Sequence, residues 1–222
     1  MRHRIAAIVL LLAGITVLFW PCIHRKQVQQ QVTQTADAFL SEEKERPYPE
    51  LYAAMVEYNQ ALFNGGQISI SDSSVFSISA IDLAAYVIDG EIVGVLEIPV
   101  LDLKMPIYLG ASDEHLAKGL AQLGYSSLPL GGENTNCVLA GHRGWNGADY
   151  LRYIDRLEIG DDVFLTNLWE TLHYQVSDIQ IIAPDDTDVI QIQPGQDLLT
   201  LLSCHPYASG GRQRYVVYCN RV

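Results

Sequence analysis

From Glu91 onward the chain is cut into short apolar runs, and that punctuation limits its folds more than any other feature. The runs read EIVGVLEIP, LKMPIYLG, NCVLAGH, DDVFLTNL, TLHYQVSDIQIIAP, DLLTLLSC and RYVVYCNRV. Each is rich in β-branched or aromatic residues and is bounded by Gly, Pro, Asp or Asn, which marks strands. Seven or eight short strands with few helices between them predict a mainly β fold, closed or nearly closed into a barrel. Two helices are expected inside this region. One spans 113–123, with Ser112 as N-cap and Gly124 at its end, and the other is a short helix over 148–157. No internal repeat is present.

The first ninety residues follow different rules. Residues 5–23 (IAAIVLLLAGITVLFWPCI) carry no charged side chain. At roughly 1.5 Å per residue the run is about 28 Å long as a helix, close to the thickness of a bilayer core. Arg2 and Arg4 precede it, and His24, Arg25 and Lys26 close it. The expectation is a cytoplasmic tail at 1–4, a transmembrane signal anchor at 5–23 and a stem at 24–49. The alternative is a cleaved signal peptide, against which stand the length of the run and the lack of a clear small-residue cleavage site. With no second span before the body, the domain is placed outside the membrane. Val28, Val32, Phe39 and Leu40 give the stem a thin apolar stripe, so a solvated helix is expected there. After Pro47 and Pro49, the segment ELYAAMVEYNQALF puts Leu51, Ala54, Met55, Tyr58, Ala61 and Leu62 on one helical face, and Asn64-Gly65-Gly66 ends that helix. Residues 67–80 read as an ordered surface loop and 81–88 as a short helix. The barrel is expected to fill 91–222.

Composition narrows the function classes. The chain of 222 residues carries a formal charge of -12, which repels phosphate backbones and excludes nucleic acid as an expected partner. No zinc-type Cys/His spacing, P-loop or dinucleotide fingerprint occurs. Cys22 lies in the uncharged run, which leaves Cys137, Cys204 and Cys219 in the body. An odd count leaves at least one thiol free, unlike a disulfide scaffold.

A nucleophilic cysteine needs an acid or base nearby and donors for the developing oxyanion, brought together by the fold rather than by sequence. Cys204 ends an apolar strand and is followed by His205-Pro206-Tyr207, where proline stops the ladder and leaves the sulfur at a rim. On spacing alone a small buried hydrophobe is an equal reading. His142 ends another strand, between Gly141 and Arg143-Gly144. His205 competes as its partner, but adjacent residues of an extended segment point to opposite faces. His115 and His173 fall on a helix and a mid-sheet strand, where structural roles are expected. Arg214 opens the last strand, with Arg212 as its rival. Cys137 and Cys219 lie inside apolar strands and are expected to be reduced core thiols.

Three segments carry a family resemblance: VLAGHRG (138–144), TLLSCHPY (200–207) and RYVVYC (214–219). They resemble the signature strands of sortases, which hold the catalytic His, the Cys of a T-L-x-T-C motif and the Arg. YNQALF (58–63), GVLEIPVLDLKMPIYLG (94–110), SSLPLGGENTNCVLAGHRG (126–144) and IDRLEIGD (154–161) look like the class C, pilus-building members. Ser203 stands where the family usually has threonine. The turn ASGGRQ before Arg214 looks one residue longer than usual. The resemblance implies an eight-stranded sortase barrel, with Cys204, His142 and Arg214 as the catalytic residues. It also implies a lid over residues 67–80, with Phe76 as plug and Asp72 at its anchor, although the usual proline after that aspartate is missing.

The implied chemistry is a cysteine transpeptidation without cofactor. Cys204 attacks the Thr–Gly carbonyl of an LPXTG-like sorting signal, Arg214 and backbone N–H groups hold the oxyanion, and protonated His142 gives its proton to the leaving amine. An amine, from a pilin lysine or a cell-wall precursor, then resolves the thioester. The implied partners are thus a sorting-signal protein, an amine acceptor and the cell membrane. Three alternatives stay open: a housekeeping sortase that anchors surface proteins to the wall, a cysteine protease that hydrolyses, and a non-enzymatic surface module.

Overall fold

The computed structural model describes residues 2–41, 48–65, 67, 73–86, 91–188 and 191–222. Eight strands close into one barrel: β1 (Ile92–Ile98), β2 (Leu103–Leu109), β3 (Leu120–Gln122), β4 (Thr135–Ala140), β5 (Asp162–Asn167), β6 (Thr171–Ile182), β7 (Asp197–His205) and β8 (Gln213–Arg221). Around the barrel the order is β1-β2-β3-β4-β7-β8-β6-β5, with β5 pairing back to β1. β2/β3 and β4/β7 run parallel, and the other neighbours are antiparallel. Alternation along the strands fills the interior. Leu139 and Cys137 of β4, Leu199 and Leu201 of β7, and Val217 and Cys219 of β8 all join one core with Leu96, Ile107 and Leu165. Cys137 and Cys219 are buried, unpaired thiols, and burial alone pushes Cys219 up to about 12. Cys219→Ala is therefore expected to lower unfolding stability by about 1–2 kcal/mol through lost packing. Thiol chemistry at Cys204 should survive in that variant, and chemical denaturation beside a labelling assay checks both.

Among the described residues two α-helices precede the barrel. α1 (Arg2–Ser41) runs without a break from the uncharged segment into the stem, with Pro21 inside it. Val32, Ala36 and Phe39 are buried, and α1 packs against β1 and β2. The expected solvated stem is therefore a docked helix: its thin apolar stripe found a partner. Arg25 is ion-paired to Asp149, and the Gln29 side chain accepts from the Asp149 amide. Among the described residues no helix is long and apolar enough to cross a membrane. α2 (Pro49–Gly65) buries Leu51 and Met55, each contributing roughly 1.5–3 kcal/mol. Asn59 on that face is buried too. Its side chain donates to the Leu128 carbonyl and accepts from the Leu128 amide, which fastens α2 to the loop after β3.

Three expected helices shrink. α3 (Asp113–Lys118) has Ser112 as N-cap, but ends at Gly119 rather than reaching Leu123. Residues 120–122 are strand β3, wedged between β2 and β4. A Cβ at Gly119 would sit 2.5 Å from the Pro106 carbonyl oxygen, so glycine lets the chain turn there against β2. In place of a helix over 148–157 there are turns and a 3₁₀ turn at Ile154–Arg156, and the described residues of the segment 81–88 hold the 3₁₀ turn Leu83–Tyr86.

Candidate active site

Strand register decides which side chains can meet. In the β7–β8 ladder Cys204 lies directly opposite Arg214. In the parallel β4–β7 ladder Ala140 pairs with Leu202, and the Gly141 amide donates to the Leu202 carbonyl at 3.1 Å. Two residues further on, His142 draws level with Cys204. Parity sets the face. Leu199 and Leu201 fill the core, so Leu202 and Cys204 face outward; Leu139 fills it too, which turns Ala140 and His142 outward. Val217 and Cys219 do the same for Arg214. Three neighbouring strands thus carry a thiol, an imidazole and a guanidinium at one level of one outer face.

Each side chain has a local holder. His142 stacks on Trp145 with ring centroids 4.6 Å apart and meets Tyr150 edge-on at 6.2 Å. Its carbonyl accepts from the Leu151 amide. Burial beneath these rings lowers the His142 pKa from its ordinary 6.5, opposed by the charge of Asp113. Arg214 donates through Nη1 to the carbonyls of Gly211 at 2.8 Å and Gln213 at 3.2 Å, so its guanidinium is curled toward the β7–β8 turn. Cys204 is half-buried. Ser203, on the inner face, donates to the Gly141 carbonyl at 2.8 Å and ties the two strand ends together. A serine hydroxyl makes this bond as well as a threonine would.

Gly211 packs against both Cys204 and Arg214. It has φ +78°, and a Cβ there would lie 3.3 Å from Cys204 Sγ and 3.1 Å from Arg214 Nη1. Gly211→Ala is expected to push the thiol and the guanidinium apart and to slow acyl transfer about 10- to 100-fold. Steady-state rates beside a melting curve check this; an unchanged rate in a folded variant would show that the site tolerates the intrusion.

The other sequence candidates lie elsewhere. His205 points away from the outer face: its Nδ1 is 2.8 Å from Arg143 Nη1, and its ring lies 5.5 Å from that of Tyr215. His115 bonds the Gly110 carbonyl and stacks on Tyr108, and His173 bonds Asp162 and stacks on Phe164. Arg212 is exposed on the turn. The sequence reading missed Arg143, Trp145, Tyr150 and Gly211. Only Arg143 left a signal, as a charge directly after the candidate His142 in Gly-His-Arg-Gly.

Of the lid candidates, Asp72 lies outside the described residues. Phe76 sits in the 3₁₀ turn Ser73–Ser77. Its carbonyl accepts from the amides of Ala111 and Gly124, both at 2.9 Å. These are the loops leaving β2 and β3, level with Val138 and Thr200 rather than with Cys204. Earlier in the segment, Gln67 donates to the Tyr125 carbonyl at 2.9 Å and accepts from the Ile192 amide at 2.6 Å. One side chain thus bridges the β3–β4 and β6–β7 loops.

Among the described residues no cluster of three His, Cys, Asp or Glu side chains is placed to hold a metal ion. Cys204, His142 and Arg214 bring a thiol, an imidazole and a guanidinium to one surface, groups whose chemistry suits acyl transfer.

Comparison with known proteins points to one family. A family model described as "Sortase domain" matches residues 96–222. Sortase D of Bacillus subtilis is 33% identical over 135 residues, which are 60% of this chain and 65% of that protein. The chain thus spans just under two thirds of that relative's length. The solved complex of Streptococcus agalactiae sortase C1 with MTSET superposes with a TM-score of 0.72 at 28% identity, covering 84% of this chain and 95% of that one. Clostridium perfringens sortase C, solved with the C-terminal cell wall sorting motif, gives a TM-score of 0.69 at 30% identity, covering 87% and 98%.

Proposed function

Because the chain belongs to the sortase family, we propose that it is a cysteine transpeptidase that cleaves an LPXTG-like sorting signal and passes the acyl group to an amine. The observation that carries this reading is the shared level of Cys204, His142 and Arg214 on the outer face of β4, β7 and β8. The sulfur of Cys204 attacks the threonine carbonyl carbon and its proton passes to the neutral His142 ring. The C–S bond forms as electrons move onto the carbonyl oxygen, where the Arg214 cation and backbone N–H groups face the developing charge. When the oxyanion collapses, the C–N bond to glycine breaks, and imidazolium His142 gives its proton to the leaving amine. The acceptor amine then attacks the thioester, the C–S bond breaks, and His142 carries the amine's proton back to the thiolate.

Pilus assembly is the favoured setting, supported by the likeness to solved sortase C structures from group B Streptococcus that are described as pilus-related or as belonging to a pilus island. The solved Clostridium complex with a sorting motif supports the substrate class. The second reading, anchoring of surface proteins to the wall, draws support from the curated relatives, which are sortases D and A. Gln67 ties the start of the segment 67–80 to the β3–β4 and β6–β7 loops, level with the beginning of β4 and β7 rather than with Cys204, so the lid in this reading is not anchored beside the site by that amide. Residues 5–23 form the membrane anchor in this reading, with the domain on the outer side. The described side chains of α1 from Leu10 to Ile23 are exposed and uncharged, which supports it.

Mass spectrometry of the products decides the function. The full chain is mixed with an LPXTG-type peptide and candidate amines. A peptide cut between Thr and Gly and joined to the amine is expected; hydrolysis alone, at saturating amine, would make the chain a protease instead. Fractionation of the full chain against one lacking residues 1–23 tests the anchor.

A further inference from the structure

Arg143 is a cation where the fold should resist one. Its side chain is only 4% exposed, and a buried charge persists only when paired and hydrogen-bonded. It is. Nη2 meets Asp155 Oδ2 at 2.5 Å, and Nη1 reaches His205 Nδ1 at 2.8 Å and the Cys204 carbonyl at 3.5 Å. Nε donates to the Arg152 carbonyl at 3.4 Å, and the guanidinium lies 5.6 Å from the centre of the Tyr215 ring. One planar group therefore joins four parts of the chain: the loop after β4 that bears His142, the end of β7 that bears Cys204, the turn at Ile154–Arg156, and β8.

We propose that Arg143 is a positioning residue that sets the register of Cys204 against His142. The inference rests on the transpeptidase reading. The backbone ladder joining β4 to β7 ends at Ala140 and Leu202, short of both reacting side chains. Beyond it, the Gly141 contacts with Leu202 and Ser203 hold the strands, and Arg143 carries the connection past the nucleophile. Arg143 also occupies Nδ1 of His205, which keeps that ring turned inward and away from the thiol. Lysine cannot do this work. Its single ammonium lacks the planar fork that reaches a carboxylate on one side and a ring nitrogen and carbonyl on the other.

The test uses the full chain as wild type, Arg143→Lys and Arg143→Met. Both variants are expected to lose about 10- to 100-fold in kcat for acyl transfer from an LPXTG-type peptide. KM for the peptide, and the rate at which iodoacetamide alkylates Cys204, should stay within about twofold of wild type, because neither binding nor the thiol itself depends on the register. A spectroscopic readout needs no turnover: alkylating Cys204 shifts the His142 imidazole resonances in the wild type, and this coupling should weaken in the variants. Should both fail to fold, Asp155→Asn loosens the same clamp from its half-exposed end, with a kcat loss of about 3- to 10-fold. Wild-type kcat in folded Arg143→Lys or in Asp155→Asn overturns the proposal. So does a rise in KM at constant kcat, or an alkylation rate that falls in step with kcat. If the wild type itself transfers no acyl group, the transpeptidase reading fails, and the resonance coupling alone decides the role of Arg143.

Discussion

Cys204→Ala is expected to give a folded chain that makes no acyl-enzyme and no transfer product. The sulfur is the only atom in the arrangement that can form the thioester, and no neighbouring group can replace it. His205 is turned toward Arg143 and Tyr215. Ser203 faces inward, with its hydroxyl bonded to the Gly141 carbonyl. Cys137 and Cys219 are sealed in the core, where burial raises both thiols far above the reactive range. Cys204 is half-exposed at a strand end, so removing its sulfur leaves little cavity, and a change in stability within about 1 kcal/mol is expected. Intact-protein mass after mixing with a sorting peptide checks this: wild type should gain the acyl mass and Cys204→Ala should gain nothing. An acylated Cys204→Ala protein would mean that another residue is the nucleophile.

His142→Asn is expected to cost about 10²- to 10⁴-fold in kcat/KM, the range for losing a positioned proton carrier. Burial beneath Trp145 and Tyr150 lowers its pKa, since the charged ring is desolvated, with Asp113 opposing. A ring that must start neutral to take the Cys204 proton is disabled by acid. The acid limb of wild-type kcat/KM should therefore fall as pH drops through the lowered His142 pKa, below the ordinary 6.5. Stability follows the same sign. The unfolded ring binds a proton more readily than the folded one, so the His142 contribution is full above about 6.5 and is lost as pH falls below it. In His142→Asn the limb due to this ring should vanish from both the residual activity and the stability profile. An unchanged acid limb in that variant would assign it to another group.

The solvation of the acid-sensitive ring depends on Trp145 and Tyr150, and neither was legible beforehand. Tyr150 lies in the segment 148–157, where a short helix was expected and the structure has turns, and Trp145 lies just before it. The same conflict between local pattern and tertiary pairing recurs at 120–122. Leu120, Ala121 and Gln122 continue the helical spacing from Asp113, yet the open edges of β2 and β4 claim them as a strand. Pairing satisfies backbone groups on both sides of a buried segment, and that outweighs a small helix propensity. The stem shows the effect in reverse. A stripe of four apolar residues looked too thin to dock, but β1 and β2 offered a matching face, and Val32, Ala36 and Phe39 went under cover.

What the sequence by itself determined was chemistry and parity. Short β-branched runs bounded by breakers demand a paired, mostly closed sheet, because isolated strands leave their edges open. Within the strands, alternation already committed Leu199 and Leu201 to one face and Cys204 to the other, and the same period placed Arg214 opposite Val217 and Cys219. The three motifs, in chain order, offered an imidazole, a thiol and a guanidinium as the candidate catalytic groups. What only the tertiary structure decided was which strands became neighbours and at what offset. The β4–β7 and β7–β8 registers put His142, Cys204 and Arg214 on one level, although more than sixty positions separate the first from the second. No local signal encodes that offset. It emerges when the barrel closes and every strand takes the one register that buries its apolar face, since a slip of a single residue would turn Cys204 into the core and Leu201 into water.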